Sequence, residues 1–331
     1  MNIFKAYFSG LKESVRLPRP VFLIYGINLL LALLIVFPLY SIANQEIGNS
    51  LNINNLLENF SAHLFSDFFR ESGDSLFAVF SQIKWIVLIY WLLSVFFAGG
   101  IIRTLNQDKF SMASFFHGAG QNFFKFLGIS LSVLIFHALI ILIIYVPAGF
   151  IISSFSAITE TAIVYTLGVA FTIHAFFIVL LFAVNDYSKF YSVLHNRNSL
   201  RSIIGGFRYV FKNFGKAYFL YLFLLIIPFF TIYGYFRLDA EVGTQTKNGV
   251  IAVFFIQQAL ILLRIWFRIW IYASPLQMFS RDYKDYAEAR NEIERVAKLN
   301  EEISAQKHAP ANQENNSEES ETTKQKMENQ K

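Results

Sequence analysis

Apolar residues follow two alternating patterns along this chain, one of helical period and one unbroken. In the first, Leu200, Ile203, Ile204, Phe207, Val210, Phe211 and Phe214 recur at three- and four-residue steps, while Arg201, Arg208 and Lys212 fall on the other side of the same helix. Such a segment lies in the plane of a membrane surface with its basic side among the headgroups. In the second, residues 217–235 carry no charge, and the run is close to the roughly 20 residues that a helix needs to cross a bilayer. Gly215 and Lys216 separate the two segments.

The same alternation begins at the first residues. Ile3, Phe4, Tyr7, Phe8, Leu11 and Val15 share one helical face, Lys5, Lys12 and Arg16 occupy much of the rest, and Pro18 and Pro20 lead into an apolar run at 21–40. Ser41-Ile42-Ala43 resembles a signal-peptidase site, but the run exceeds the usual apolar core of about 7–15 residues and its leader is amphipathic, so an uncleaved anchor is expected. Further apolar runs at 83–102, 126–150, 161–184 and 249–273 bring the expected spans to six. Residues 109–125, with Phe115, Phe116, Ala119 and Phe123 on one face, stand before the third span as 199–216 stand before the fifth. Between 43 and 82, Ile53, Leu56, Leu57, Phe60, Leu64 and Phe68 predict another amphipathic helix, lying on the opposite membrane surface or capping the spans.

The predicted fold is an all-α membrane protein: six transmembrane helices in three hairpins, each preceded by an amphipathic interfacial helix. Residues 1–280 form this domain, 281–304 a charged helix and 305–331 a disordered tail rich in Glu, Gln, Asn, Lys and Ser. Ala289, Ile293, Val296 and Ile303 approach heptad spacing, over too short a length for a coiled coil. Sliding the chain by 88 residues places Ser111, Ser114, Gly118, Phe123 and Phe126 on Ser199, Ser202, Gly206, Phe211 and Phe214. The leader joins loosely, Tyr7, Phe8 and Gly10 matching Phe115, Phe116 and Gly118. Either three units repeat about an axis along the membrane normal, or a shared amphipathic pattern imposes the likeness.

Composition agrees with a bilayer as solvent: 55% of residues are hydrophobic, 15% are charged and 38 are phenylalanine. The net charge of +5 sits beside apolar runs, which points to anionic lipid headgroups as the partner and away from nucleic acid. The leader, the second loop and the fourth loop hold thirteen Lys and Arg, against four in the alternate loops (Arg70, Lys84, Arg237 and Lys247). The positive-inside rule then places both termini in the cytoplasm.

Chemistry is sparse. With no cysteine there is no disulfide, thiolate metal site or cysteine nucleophile. The six histidines form no HxxxH or HExxH spacing, so no metal site, cofactor or catalytic residue is assigned and the chain is not expected to be an enzyme. Gly99-Gly100 and Gly205-Gly206 lack the lysine and spacing of a phosphate loop, and no GxSxG occurs. His137 and His174 fall within spans, where an ionisable group serves either a proton relay or a hydrogen bond between helices. Gln257, Arg264 and Arg268 share one stripe of the sixth span. That stripe is either a site for an anionic headgroup or solute, or a pair of arginines reaching to the interface.

The segments SLRSIIGGFRYVFKNFGKAY at 199–218 and SPLQMFSRDYKDY at 274–286 resemble a group of bacterial inner-membrane proteins that includes the membrane domain fused to some glycerophosphodiester phosphodiesterases. The resemblance implies a bacterial cytoplasmic-membrane location. It does not imply phosphodiesterase activity, because nothing here corresponds to the catalytic domain. Two functions follow. One is a non-catalytic protein that organises lipids or partner proteins, the tail acting as a docking segment. The alternative is a transporter or channel for a small anionic or lipid-like solute passing Gln257, Arg264 and Arg268. Because the chain has no native cysteine, R208C should react with an impermeant maleimide only from the cytoplasmic face. Labelling of intact cells from outside would reverse the orientation.

Overall fold

The computed structural model describes residues 2–47, 66, 70, 73–107, 109–154, 159–242 and 247–308. Among them all regular structure is helical: α1 (Ile3–Val15), α2 (Pro18–Ile47), α3 (Gly73–Leu105), α4 (Met112–Ser154), α5 (Glu160–His195), α6 (Ser199–Lys212), α7 (Phe214–Val242) and α8 (Lys247–His308). Six contain stretches long and apolar enough to cross a membrane, namely Pro18–Ser41, Ile83–Leu105, Met112–Ser154, Glu160–His195, Phe214–Val242 and Asn248–Lys284. Leu30, Phe37, Ile143, Phe171 and Phe229 on these helices are each more than 60% exposed, an arrangement that water would penalise and lipid does not. The chain is a multi-pass helical membrane protein.

Most of the predicted amphipathic helix at 53–68 lies outside the described residues, as do residues 309–331 of the predicted tail. Residues 305–308 of that tail belong to α8. The chain divides into two compact units, Met1–Phe279 and Ser280–Lys331. The first holds the bundle, and the described residues 280–308 of the second are helical.

Local chemistry explains the breaks between helices. After α1, the amides of Arg16 and Leu17 turn back to Glu13 O and Ser14 O, each at 3.2 Å, and Pro18 opens α2 where a missing N–H costs nothing. α5 ends at Asn196, whose φ of 45° is left-handed, a conformation that asparagine tolerates better than most residues. The Arg197 amide then closes on Ser192 O at 3.3 Å, and α6 starts within three residues. Asn213 leaves helical geometry between α6 and α7 and donates its Nδ2 to Tyr209 O at 3.3 Å.

No such break separates residues 109–125 from the third span. With no proline or left-handed asparagine between them, the amphipathic segment and the span run on as the single helix α4. The expected separate interfacial helix before the third span is therefore the first part of α4.

The other two such helices, α1 and α6, align face by face at a shift of 196, with Gly10 on Gly206. Each has three faces. Ala6, Gly10 and Ser14 of α1 are buried, as are Ser202, Gly206 and Val210 of α6. Phe4, Phe8 and Val15 match Leu200, Ile204 and Phe211 as exposed apolar residues. Lys5, Lys12 and Arg16 match Arg201, Arg208 and Lys212 as exposed cations. At the equivalent positions α4 carries Ala113, Gly120 and Phe124, so its first part keeps the buried and apolar faces and lacks the basic one.

The repeated glycine marks close approach in all three units. A Cβ on Gly10 would lie 2.5 Å from Ser274 Cα, and one on Gly206 would lie 2.9 Å from Ser188 Cα; one on Gly118 would meet the flexible Arg103 side chain. Each amphipathic segment thus seats on the end of a returning span, α6 on α5, α4 on α3 and α1 on α8. The last contact is fastened by Trp270, whose Nε1 donates to Tyr7 O at 3.1 Å and whose ring meets the Tyr7 ring edge-on at 4.8 Å. Between membrane helices, where lipid offers little hydrophobic gain, small residues of this kind permit the packing that holds elements together. Gly10→Ala should lower the unfolding free energy by about 1–3 kcal/mol through overpacking. Gly120→Ala, with open space around its Cβ, should be neutral or stabilise by up to ~1 kcal/mol. Denaturation in mixed micelles reads both, and equal effects would contradict the packing.

Candidate functional site

α5 carries the most deeply buried charges among the described residues. Asp186 and Lys189, one turn apart, keep only 8% and 4% of their side chains exposed, with Oδ1 and Nζ 3.7 Å apart. The Tyr221 hydroxyl of α7 donates to Asp186 Oδ2 at 3.0 Å, and Asn185 Nδ2 donates to Asp186 Oδ1 at 3.2 Å. Lys189 Nζ reaches the Tyr272 hydroxyl of α8 at 3.4 Å and lies 5.6 Å from the centre of that ring. A buried carboxylate is tolerated on these terms, its charge opposed and its lone pairs occupied.

The cluster forms the charged end of a cavity of about 520 Å³ bounded by α3, α4, α5, α7 and α8. Arg268 completes that end by donating through Nη2 to the carbonyl of Ser94 and, at 2.7 Å, to Ser94 Oγ. Both acceptors are neutral. Among the described residues no carboxylate lies within ion-pair reach of Arg268, so Asp186, Lys189 and Arg268 together leave one positive charge in excess. Asn185, having turned its amino group to the carboxylate, leaves its buried Oδ1 without a hydrogen-bond donor. Elsewhere the lining is mostly apolar, with Val95, Val133, Ile178, Leu181, Leu224 and Leu225, and carries Ser130 and His137 as its polar side chains. Leu134 and Phe182 also line it and are 53% and 51% exposed, so its mouth opens between apolar side chains.

The three residues of the predicted stripe separate. Arg268 lines the cavity. Arg264 is exposed, donates to the Tyr90 hydroxyl at 3.1 Å and stands 5.9 Å from that ring's centre. Gln257 is exposed and donates to the Tyr235 hydroxyl at 3.2 Å. α8 is thereby tied through polar contacts to α3 and α7, and Gln258 adds α2 by accepting from the Tyr25 hydroxyl at 2.7 Å. Arg201, Arg208 and Lys212 stand on the exposed basic face of α6, away from the cavity.

Lys189 lies beyond the apolar run expected to end at residue 184. α5 continues to His195, so Lys189 is inside the helix and the bundle. The spacing of Asp186 and Lys189 by three residues was the available sign, since such pairs meet on a helix face. Tyr221, Tyr272 and Ser94 had no comparable sign, being single polar groups in apolar runs. His137 and His174 come together: their Nε2 atoms are 3.0 Å apart, and His174 Nδ1 is 3.1 Å from the Tyr145 hydroxyl. His137 also lines the cavity. Among the described residues no group of three or more metal-ligating side chains occurs.

Comparisons with protein-family models, curated proteins and solved structures returned no match. Asp186→Ala should lower the unfolding free energy by about 3–5 kcal/mol by stranding the buried Lys189 charge. Tyr221→Phe removes one hydrogen bond to a charged group and should cost about 1.5–3 kcal/mol. Chemical denaturation in detergent compares them, and a milder effect for D186A than for Y221F would contradict the pairing.

Proposed function

We propose that this protein is a non-catalytic carrier that binds an anionic, lipid-like molecule inside the membrane. The observation that carries this reading is the excess of positive charge at one end of a largely apolar cavity, where Lys189 and Arg268 share the single carboxylate of Asp186 and Arg268 bonds only to neutral oxygens. A guanidinium in the membrane interior is costly, at roughly 2.5–3.5 kcal/mol on insertion scales, and calls for compensation. An anionic headgroup supplies it through charge-assisted hydrogen bonds. Lys189 lies on the same lining as a second cation, and Asn185 Oδ1 offers an acceptor to a hydroxyl or amide of the headgroup. An acyl or polyprenyl chain fits the remaining lining, and a mouth between Leu134 and Phe182 admits such a molecule sideways from lipid.

The membrane is the bacterial cytoplasmic membrane, with both termini in the cytoplasm. This rests on the bias of Lys and Arg among the loops and on the resemblance to phosphodiesterase membrane domains. The exposed apolar and basic faces of α1 and α6 suit them to lie at the inner leaflet as amphipathic interfacial helices, where Lys5, Lys12, Arg16, Arg201, Arg208 and Lys212 attract anionic lipid near the charged end of the cavity.

A pyrene-labelled dodecyl sulfonate, titrated into the purified protein in nanodiscs of zwitterionic lipid, tests the reading. R268Q should weaken binding about tenfold or more, the worth of one hydrogen bond between charged partners. R264Q should stay within about twofold, its guanidinium being seated on Tyr90 outside the cavity lining. Equal affinity in R268Q and the parent chain would refute the assignment.

A further inference from the structure

We infer that His137 and His174 form a site for one proton, and that this proton is bound together with the anionic ligand. The coupling rests on the anion cavity proposed above; the single-proton capacity does not.

Only one hydrogen fits between two ring nitrogens 3.0 Å apart. In the neutral pair, Tyr145 O–H donates to His174 Nδ1, His174 Nε2–H donates to His137 Nε2, and His137 Nδ1 keeps its hydrogen. Every ring nitrogen facing a partner is then satisfied. An added proton makes one imidazolium. It resides on His174 Nδ1 with Tyr145 turned to accept, and the hydrogen at the shared contact can then pass from His174 Nε2 to His137 Nε2, moving the charge to the ring that lines the cavity. A second proton would set two N–H groups against each other and place two cations with ring centres 5.2 Å apart. The pair therefore holds one proton and no more. Among side chains, imidazole is the one that serves most widely as a proton carrier.

Position links this proton to the anion. His174 precedes Asp186 by 12 residues on α5, about 18 Å of helix at 1.5 Å per residue. The imidazoles are half-buried and stand well along the helices from the charged cluster, with His137 on the cavity lining. The ionisable groups that share the lining with His137 are Asp186 and Lys189 of α5, Tyr221 of α7, and Arg268 and Tyr272 of α8; Tyr145 of α4 faces His174. Among these, Asp186 is the one carboxylate, and Lys189 and Tyr221 already hold it. A proton on the imidazole pair therefore adds to the positive excess and finds its counter-charge in the ligand. Linkage makes the effect mutual: the proton tightens the anion by the same factor by which the anion tightens the proton. Bound together, proton and monoanion add no net charge to be carried across hydrocarbon.

The test uses the same pyrene-labelled dodecyl sulfonate, whose charge is constant with pH, and ¹⁵N-histidine NMR on the full chain in nanodiscs. Probe affinity should rise about tenfold from pH 8 to pH 6, within the usual range for coupled sites. H174Q should flatten the profile, and H117Q, at an exposed histidine outside the cavity lining, should keep it. The NMR titration of the unsubstituted protein should show both imidazoles responding together in one single-proton step. Two independent proton uptakes would overturn the shared site. Binding with a flat pH profile in the unsubstituted protein would overturn the coupling and leave the cavity assignment standing, whereas no binding at any pH would overturn the cavity and the coupling together.

Discussion

Hydrocarbon offers a polar group nothing to bond to, and much of this structure answers to that constraint. It makes helices the available form for the backbone across the membrane. It also favours polar side chains in the spans that bond to their own helix, as Ser132 and Thr166 do, or to a neighbouring one. Tyr25 meets Gln258, Tyr90 meets Arg264, Tyr235 meets Gln257, and Tyr145, His174 and His137 form a row. The buried pair of Asp186 and Lys189 is the strongest case, since neither charge is tolerable without the other and Tyr221 is needed to complete the carboxylate's hydrogen bonds.

What holds the helices at one another's sides is different. Lipid is as apolar as the side chains facing it, so helices gain little by hiding leucine from it. The bundle uses close approach instead, with Gly10 against Ser274 and Gly206 against Ser188. The first of these joins the beginning of the bundle to its last span, because α1 seats on α8 while α4 and α6 seat on the spans that immediately precede them. Three units therefore share one packing rule, and the rule survives in α4 although its basic face is gone. Loss of that face accompanies loss of the break: the segment that lacks cations also continues straight into its span.

Arg268 stands apart from these satisfied groups. Its hydrogen bonds go to neutral oxygens of Ser94, and it faces a cavity large enough for a headgroup and part of a chain. The excess of positive charge, the spare acceptor on Asn185 and His137 of the imidazole pair bear on one another because they share one lining. An anion entering there would meet charge at one end and an imidazole along the same lining.

The sequence by itself determined the class and the number of spans, because hydropathy over some twenty residues is a property of consecutive residues and needs no partner. It also showed the glycine register of the repeat, and the stripe of Gln257, Arg264 and Arg268. Tertiary structure alone decided which of those three faces a cavity, since a stripe on one helix reaches different neighbours at different depths. It decided equally that Lys189 is buried, that His137 and His174 touch, and that Tyr221 and Ser94 are their clusters' partners. These are meetings between residues from 35 to 174 positions apart, and no local pattern records which helices will lie side by side.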